Sequence, residues 1–356
     1  MILALEILNW KTFGHSEILR YIKKSVEQDR LSHAYLFTGP DRVGKTTVAI
    51  DLACLINAEH KTTKSGNVVV DLKNDRQAIR IRKGFHSDVK IINNETPCSV
   101  DGTETKSRVN ISIEHIQDIK KEASLKPFEG EAKVFIIEGA QNMTLEASNA
   151  LLKILEEPYD RVFFILTTSS TAHLPETIIS RCQVLSLRSV KKSEISEKLS
   201  NIYGLDHSES DNLSSLSRGR PGWAVSAVKD ATMVDSLSQL VNRISDIMSG
   251  SLEERFVYAR KLSNQFRTNR DEVYAELDGW IDWFREIAIS KNGLKQHLFF
   301  RQKESNYLEI TEKLSQRQIV KAINLLFEIR GNLKNNAIPR LALEVLMVEL
   351  PFIDKN

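Results

Sequence analysis

One segment near the start of the chain constrains the fold more than any other. Residues 39–46 read GPDRVGKT, the pattern G-x-x-x-x-G-K-T, and lie between the apolar run AYLFT and a helical pattern. In this context the glycines let backbone N–H groups surround phosphate oxygens, while Lys45 reaches the β- and γ-phosphates and Thr46 coordinates Mg²⁺. A chance glycine turn before Lys-Thr is the alternative, which the flanking strand and helix disfavour. The predicted ATP-binding residues are Gly39, Pro40, Asp41, Arg42, Val43, Gly44, Lys45, Thr46 and Thr47.

Short β-branched runs alternate with helical patterns through the first half of the chain. This order is typical of a parallel sheet covered by helices, so we expect an α/β nucleotide-binding domain over residues 1–188. The predicted strands are 34–38, 88–92, 133–137, 161–167 and 183–187. The predicted helices are 16–28, 45–57, 112–125 and 145–155, the last stopped by Pro158.

The remainder of the chain reads as helices separated by short polar breaks. At 356 residues the chain is too long for one core, so we expect a small helical lid over 189–232 and an all-α oligomerisation domain over 233–356. Residues 59–84 are polar, basic and poorly periodic, which predicts a surface excursion between the first nucleotide-site helix and the next strand.

Two apolar stripes stand out in the last helical patterns. Their spacing places each stripe on one helix face, which serves either a packed core or a subunit interface, and the sequence leaves both open. The first stripe is Ile319, Ile323, Leu326 and Phe327, and the second is Leu341, Val345 and Val348.

Composition limits the classes of function. Lys and Arg number 49 against 47 Asp and Glu, so any DNA contact must be local or shared with partner subunits. The three cysteines, Cys54, Cys98 and Cys182, lack the spacing of a zinc or redox site, so no metal site of that kind is expected. No apolar run approaches the ~20 residues of a membrane helix, and the first residues lack a basic secretory pattern, so we expect no membrane partner and a cytoplasmic location.

Two further elements extend the predicted ATP site. Glu138 ends the strand KVFII and can hold Mg²⁺, but the next residue, Gly139, has no side chain to activate water. Thr167, Thr168 and Ser169 follow the strand RVFFIL, where a hydroxyl can sense the γ-phosphate, and Thr168 or Ser169 is the sensor candidate. The alternatives are a solvated strand-end acid and ordinary turn-forming hydroxyls.

Several ordered segments together resemble the AAA+ clamp-loader subunits of bacterial DNA polymerase III. They are SHAYLFTGPDRVGKTT, GFHSDVKII, EGAQNMTLEASNALLKILEEP and LPETIISRC, with weaker similarity in SRGRPGWA and NAIPRLALEVLMVEL. The resemblance implies ATP and Mg²⁺ as ligands and other loader subunits, ATPase and delta, as partners, with the sliding clamp and primer-template DNA in the assembled complex. It also implies that Arg181 of the Ser-Arg-Cys motif is an arginine finger for ATP on an adjacent subunit.

The chain departs from the ATPase subunits of that family in three ways. Residues 59–84 lack the cysteines of a zinc module, Gly139 replaces the expected base, and Gly222 lies where a lid arginine falls. These departures are similar to those of delta-prime subunits, and they predict ATP binding with weak hydrolysis. A catalytic ATPase subunit, and a P-loop kinase or DNA-repair ATPase acting alone, are the competing hypotheses.

Overall fold

The computed structural model describes residues 5–59, 61–64, 67–100, 103–106, 110–293 and 310–353. The chain packs as two compact units, Met1–Val225 and Ser226–Asn356, here called the N-terminal and C-terminal units. The finer division predicted from the sequence, with a lid over 189–232, stays a prediction. None of the helices in the described ranges is both long and apolar enough to cross a membrane.

The N-terminal unit is built on a sheet of five parallel strands, with two smaller sheets beside it in the described residues. The strands are β1 Leu5–Leu8, β2 Ala34–Thr38, β3 Lys61–Lys64, β4 Asn67–Asp71, β5 Val89–Ile92, β6 Pro97–Val100, β7 Thr103–Lys106, β8 Lys133–Ile137, β9 Val162–Thr168 and β10 Gln183–Ser186. The parallel sheet has the spatial order β10-β2-β9-β8-β5. A second sheet has the order β1-β4-β3, and β6 pairs with β7. The five strands predicted from the sequence are confirmed to within one residue at each end.

Helices cover both faces of the five-stranded sheet. Successive side chains of a strand point to opposite faces, so Val134 and Ile136 of β8 pack in one apolar cluster while Phe135 and Ile137 pack in the other. The predicted α/β fold is therefore confirmed. The helices of this unit are α1 Ser16–Glu27, α2 Lys45–Ile56, α3 Arg76–Arg82, α4 Ile113–Ala123, α5 Leu145–Glu156, α6 Glu176–Ile179, α7 Lys192–Tyr203, α8 His207–Ser217 and α9 Pro221–Lys229, the last running past the unit boundary.

The prediction that residues 59–84 form a surface excursion is wrong for residues 70–82. Val70 and Leu72 are fully buried beside α2, and α3 buries Ala78 and Ile81 in the same apolar cluster. Two features hid this from the sequence. Strand β4 pairs with β1, which is distant in the chain, as well as with the adjacent β3. The helix α3 contains three arginines, so the segment reads as polar although Ala78 and Ile81 are buried.

The described part of the C-terminal unit is entirely helical, as predicted. Its core contains Trp280, Trp283 and Phe284, each at most 1% exposed. Arg255 is buried too, and its guanidinium donates to the carbonyls of Ile247 and Met248 near the end of α10 and to carbonyls at the end of the last helix. The helices are α10 Thr232–Ser249, α11 Leu252–Thr268, α12 Arg270–Lys291, α13 Gln316–Lys334 and α14 Pro339–Glu349, and residues 310–313 are also helical.

The structure distinguishes the two apolar stripes. On α13, Ile319 and Leu326 are fully buried and Ile323 is half-buried, so most of that stripe belongs to the core, while Phe327 is 56% exposed. The α14 stripe is different, because all three of its residues face solvent. They are Leu341 at 58%, Val345 at 42% and Val348 at 55% exposure.

Candidate nucleotide-binding site

The sheet brings the predicted site residues to one edge. In the parallel ladder Thr38 of β2 pairs with Thr168 of β9, and Ile137 of β8 pairs with Leu166 of β9, so the carboxyl ends of three strands lie side by side. The backbone N–H of Gly39 donates to the carbonyl of Thr168 at 3.2 Å, which fixes the glycine-rich loop to the end of β9. Crevices at the carboxyl ends of such sheets are the usual ligand sites of α/β proteins.

A cleft of about 290 Å³ opens at this edge. Its lining includes Lys45, Thr46 and Glu138 together with the sensor candidates Thr168 and Ser169, so the structure brings these predicted site residues together. Of the predicted loop residues, Gly39, Pro40 and Val43 do not line the cleft, and Val43 is buried in the apolar core. The lining residues are Asp41, Arg42, Gly44, Lys45, Thr46, Thr47, Glu138, Gly139, Gln141, Thr167, Thr168, Ser169 and Gly222.

The ammonium group of Lys45 is held by its own loop. It donates to the carbonyls of Gly39 at 2.7 Å and Pro40 at 2.8 Å, and it lies 3.6 Å from the carboxylate of Asp41. Burial lowers the pKa of Lys45, and the nearby Asp41 carboxylate partly opposes that shift. A phosphate group at this position would replace the neutral carbonyl acceptors with a charged one, which forms a stronger contact with the ammonium.

Thr46 and Glu138 meet across the cleft from two different elements. Thr46 is in the first turn of α2, Glu138 follows β8, and the hydroxyl of Thr46 donates to Oε1 of Glu138 at 2.5 Å. A hydroxyl and a carboxylate are the hard oxygen ligands that Mg²⁺ prefers beside nucleotide phosphates. With the lysine at the same cleft, this donor set fits a magnesium-bound nucleotide.

The residue after Glu138 supplies no side chain to the cleft. Gly139 has a φ of +71°, a left-handed conformation that favours glycine, and its N–H donates to the hydroxyl of Thr167 at 3.2 Å. A β-carbon at position 139 would lie 3.2 Å from Nδ2 of Asn142 and 3.8 Å from Nε2 of Gln141. The position that should carry a water-activating carboxylate is thus bordered by amide groups.

The two sensor candidates have different environments. Thr168 is 1% exposed, and its hydroxyl donates to the carbonyl of Ser170 at 2.8 Å, which places it in a local turn. Ser169 lines the cleft and is half-buried. Thr167, the first hydroxyl of the predicted element, was not chosen as a sensor, and its hydroxyl joins the end of β9 to the N–H of Gly139.

The start of α9 closes against the glycine-rich loop. The N–H of Gly222 donates to the carbonyl of Arg42 at 2.9 Å, and a β-carbon at position 222 would lie 2.7 Å from that oxygen. Arg42 has a φ of +61°, in the left-handed region. This approach leaves room only for glycine, and the sequence did not indicate it.

Arg181 lies outside the set of residues that line the cleft. It follows the short helix α6, and its side chain is about one-third exposed. Its Nη2 is 2.6 Å from Oε1 of Glu156, and its Nη1 donates to the carbonyl of Thr177 at 2.9 Å. The guanidinium is therefore held by contacts from α5 and α6 and not by the residues that line the cleft.

Comparison with known proteins agrees with this geometry. The chain is 26% identical to the DNA polymerase III subunit tau of Bacillus subtilis over 95% of its own length and 60% of that protein. It is also 26% identical to the DNA polymerase III subunit delta' of the same organism, over 81% of this chain and 76% of that protein. The chain thus spans less than two-thirds of the tau relative.

A solved structure and a family model extend the comparison. A DNA polymerase III gamma subunit-related protein from Thermotoga maritima aligns over 93% of this chain and 96% of its own, with 20% identity and a TM-score of 0.43. The model of the family described as DNA polymerase III, delta subunit, matches residues 14–191, which is half of the chain. This chain therefore belongs to the DNA polymerase III delta subunit family of AAA+ clamp-loader proteins.

Proposed function

We propose that this chain is a delta-prime-type subunit of a DNA polymerase III sliding-clamp loader, which binds ATP in its own cleft and hydrolyses it slowly. The observation that carries the proposal is the pair Thr46–Glu138 followed by Gly139. The cleft has the ammonium group of Lys45 to hold the phosphates of ATP, and the oxygens of Thr46 and Glu138 to hold Mg²⁺. The bond that hydrolysis breaks belongs to the ATP phosphates. The neighbouring position has no carboxylate to activate water, so binding is retained and turnover is low.

Nucleotide binding is tested by titrating the chain with a fluorescent ATP analogue in the presence of Mg²⁺. Lys45→Ala removes the cation of the cleft and should weaken binding at least tenfold. Lys153→Ala, which removes an exposed lysine of α5, is the matched control and should bind like the wild type. Equal affinity of all three proteins would overturn the proposed site.

The same preparation separates the proposal from its competitors. Steady-state hydrolysis by the isolated chain should be slow even at saturating ATP. Rapid turnover would favour a catalytic ATPase subunit, and turnover that depends on a small phosphate acceptor would favour a kinase acting alone. In the proposed complex, the neighbouring ATPase subunits carry out most of the ATP hydrolysis.

We propose further that Arg181 serves ATP on an adjacent subunit. Its guanidinium lies outside the chain's own cleft and is partly exposed, which suits a charge supplied to a neighbour's γ-phosphate during hydrolysis. The partners are then the ATPase and delta subunits of the loader, with the sliding clamp and primer-template DNA bound by the assembled complex.

Assembly is proposed to use the exposed stripe of α14. Its three apolar side chains lie one turn apart on a single face, and such a surface is costly to leave in water. Leu341→Glu should leave the melting temperature of the free chain nearly unchanged, since the residue is already exposed, but should weaken complex formation at least tenfold. Arg340→Glu, a charge change at an exposed position next to it, is the control. Normal assembly of Leu341→Glu, measured by size after mixing with the other subunits, would exclude this face.

A further inference from the structure

Glu156 is an acidic residue at a position that helix energetics do not favour. It ends α5, in the last turn, where the partial negative charge of the helix C-terminus opposes a carboxylate. The two preceding residues, Ile154 and Leu155, are at most 3% exposed and fix this turn in the apolar core. The backbone of Glu156 is therefore held in place. The negative charge of its side chain does not stabilise α5, and the contact that the charge makes lies outside that helix.

The carboxylate of Glu156 contacts the guanidinium of Arg181. The distance from Oε1 to Nη2 is 2.6 Å, and the carbonyl of Thr177 accepts from Nη1 at 2.9 Å. The two acceptors belong to different helices, α5 and α6, so together they hold the plane of the guanidinium in one orientation. Nη1 also donates to the hydroxyl of Ser180 at 3.4 Å. An arginine has five N–H donors, so these three contacts leave two for an incoming anion.

We propose that Glu156 is the positioning residue for Arg181, orienting its free N–H groups toward the terminal phosphate of ATP bound to the neighbouring subunit; this rests on the proposed role of Arg181. A long, flexible side chain delivers its charge effectively only when its orientation is fixed before the reaction. The Glu156 side chain is half exposed, so the ion pair is weak and its removal lowers the oriented fraction of Arg181 without unfolding the protein.

The expected size of the effect follows from the exposure of the pair. Exposed ion pairs contribute up to roughly 1 kcal/mol, which corresponds to about a fivefold change in an equilibrium constant. Loss of the arginine itself at a γ-phosphate costs on the order of 10³-fold or more. Removing Glu156 should therefore produce a small, measurable fraction of the defect caused by removing Arg181.

The experiment uses the full chain in a complex reconstituted with wild-type neighbours, DNA and clamp. Glu156→Ala should lower kcat for stimulated ATP hydrolysis about three- to fivefold with little change in KM. Glu156→Gln, which keeps an acceptor oxygen but not the charge, should fall between this variant and wild type. Glu157→Ala, which removes the adjacent exposed acid, is the matched control and should match wild type.

A second measurement separates positioning from a merely structural ion pair. Binding of ADP with aluminium fluoride, which mimics the transferring phosphate, should weaken in Glu156→Ala, whereas binding of ADP alone should not. In an Arg181→Ala background the further change Glu156→Ala should have no effect, because a positioning residue acts only through the group that it orients.

The outcomes keep the two proposals distinct. If Arg181→Ala itself leaves hydrolysis unchanged, the proposed trans role fails. If Arg181→Ala abolishes hydrolysis while Glu156→Ala behaves like wild type, or adds its effect to that of Arg181→Ala, the arginine finger stands and the positioning role of Glu156 is overturned.

Discussion

Replacing Gly222 with alanine places a β-carbon 2.7 Å from the carbonyl oxygen of Arg42. Ordinary contacts of a β-carbon begin near 3.4 Å, so the start of α9 and the glycine-rich loop must separate by about 0.7 Å. Inserting a methyl group into a packed contact of this kind destabilises a fold. That movement stretches the hydrogen bond from the Gly222 N–H to the same oxygen, now 2.9 Å, past the useful range.

The magnitude follows from these two effects. Loss of the hydrogen bond costs about 0.5–1.5 kcal/mol, and the overpacked contact costs about 1–3 kcal/mol. A gain of about 0.4–1 kcal/mol from restricting the unfolded chain offsets part of this. We expect Gly222→Ala to destabilise the N-terminal unit by about 0.5–4 kcal/mol, relative to the wild type.

Gly331 offers a matched control. It lies inside α13, and a β-carbon there meets no atom within 4 Å. Gly331→Ala should therefore stabilise its helix by up to about 1 kcal/mol. Urea unfolding of each variant measures the change in the free energy of unfolding. Amide hydrogen exchange over residues 42–48 shows whether the change lies in the N-terminal unit. If Gly222→Ala is as stable as wild type, the close approach of α9 to the loop is wrong.

Two further predictions concern buried groups of the N-terminal unit. Asp88 is buried, and although burial alone would raise its pKa, hydrogen bonds from the N–H groups of residues 128–130 lower that pKa overall. The ionised Asp88 carboxylate thus contributes fully to the stability of the fold above the ordinary aspartate pKa, and this contribution is lost as the pH falls through the lower folded-state pKa. Asp88→Asn should lower the free energy of unfolding in urea by about 1.5–3 kcal/mol at pH 7, and the difference from wild type should shrink in acid. A difference that does not change with pH would contradict this prediction. Cys54 is fully buried, and burial raises the pKa of its thiol to about 12, so peptide mapping should find it unmodified by iodoacetamide at pH 8 until the chain is unfolded. Rapid labelling of Cys54 in the native chain would contradict this burial.

The parallel sheet was predictable because its strands carry their own signal. Residues 134–137 form an unbroken apolar run with both faces buried, as a central parallel strand requires. The strand Leu5–Leu8 was not predicted, because its pairing with β4 depends on residues about 60 positions away in the chain. The burial of Ala78 and Ile81 was missed because it depends on the packing of α3 against α2, which only the folded chain establishes.

The cleft was predictable where a backbone motif dictates chemistry. Lys45 and Thr46 begin a helix and Glu138 follows a strand, and these positions correctly predicted that the three residues line one cleft. Contacts set by tertiary packing were not predictable. The Gly222 N–H reaches Arg42 from a helix distant in sequence, and the Glu156–Arg181 pair joins two helix ends whose proximity only the folded sheet establishes.

The trans role of Arg181 is tested most directly by comparing two variants in the reconstituted loader. Stimulated ATP hydrolysis and clamp loading are measured for complexes that contain Arg181→Ala or Lys45→Ala in this subunit alone. We expect Arg181→Ala to fold, bind ATP and assemble, yet to lower hydrolysis at the neighbouring site by on the order of 10³-fold, with a smaller fall in the rate of the whole complex if other sites retain their own arginines. Arg181→Lys should restore little, because a point charge does not reproduce the planar, two-pronged contact. Lys45→Ala should impair clamp loading less than Arg181→Ala does. The reverse ranking would contradict the account, because the chain would then work through its own nucleotide site.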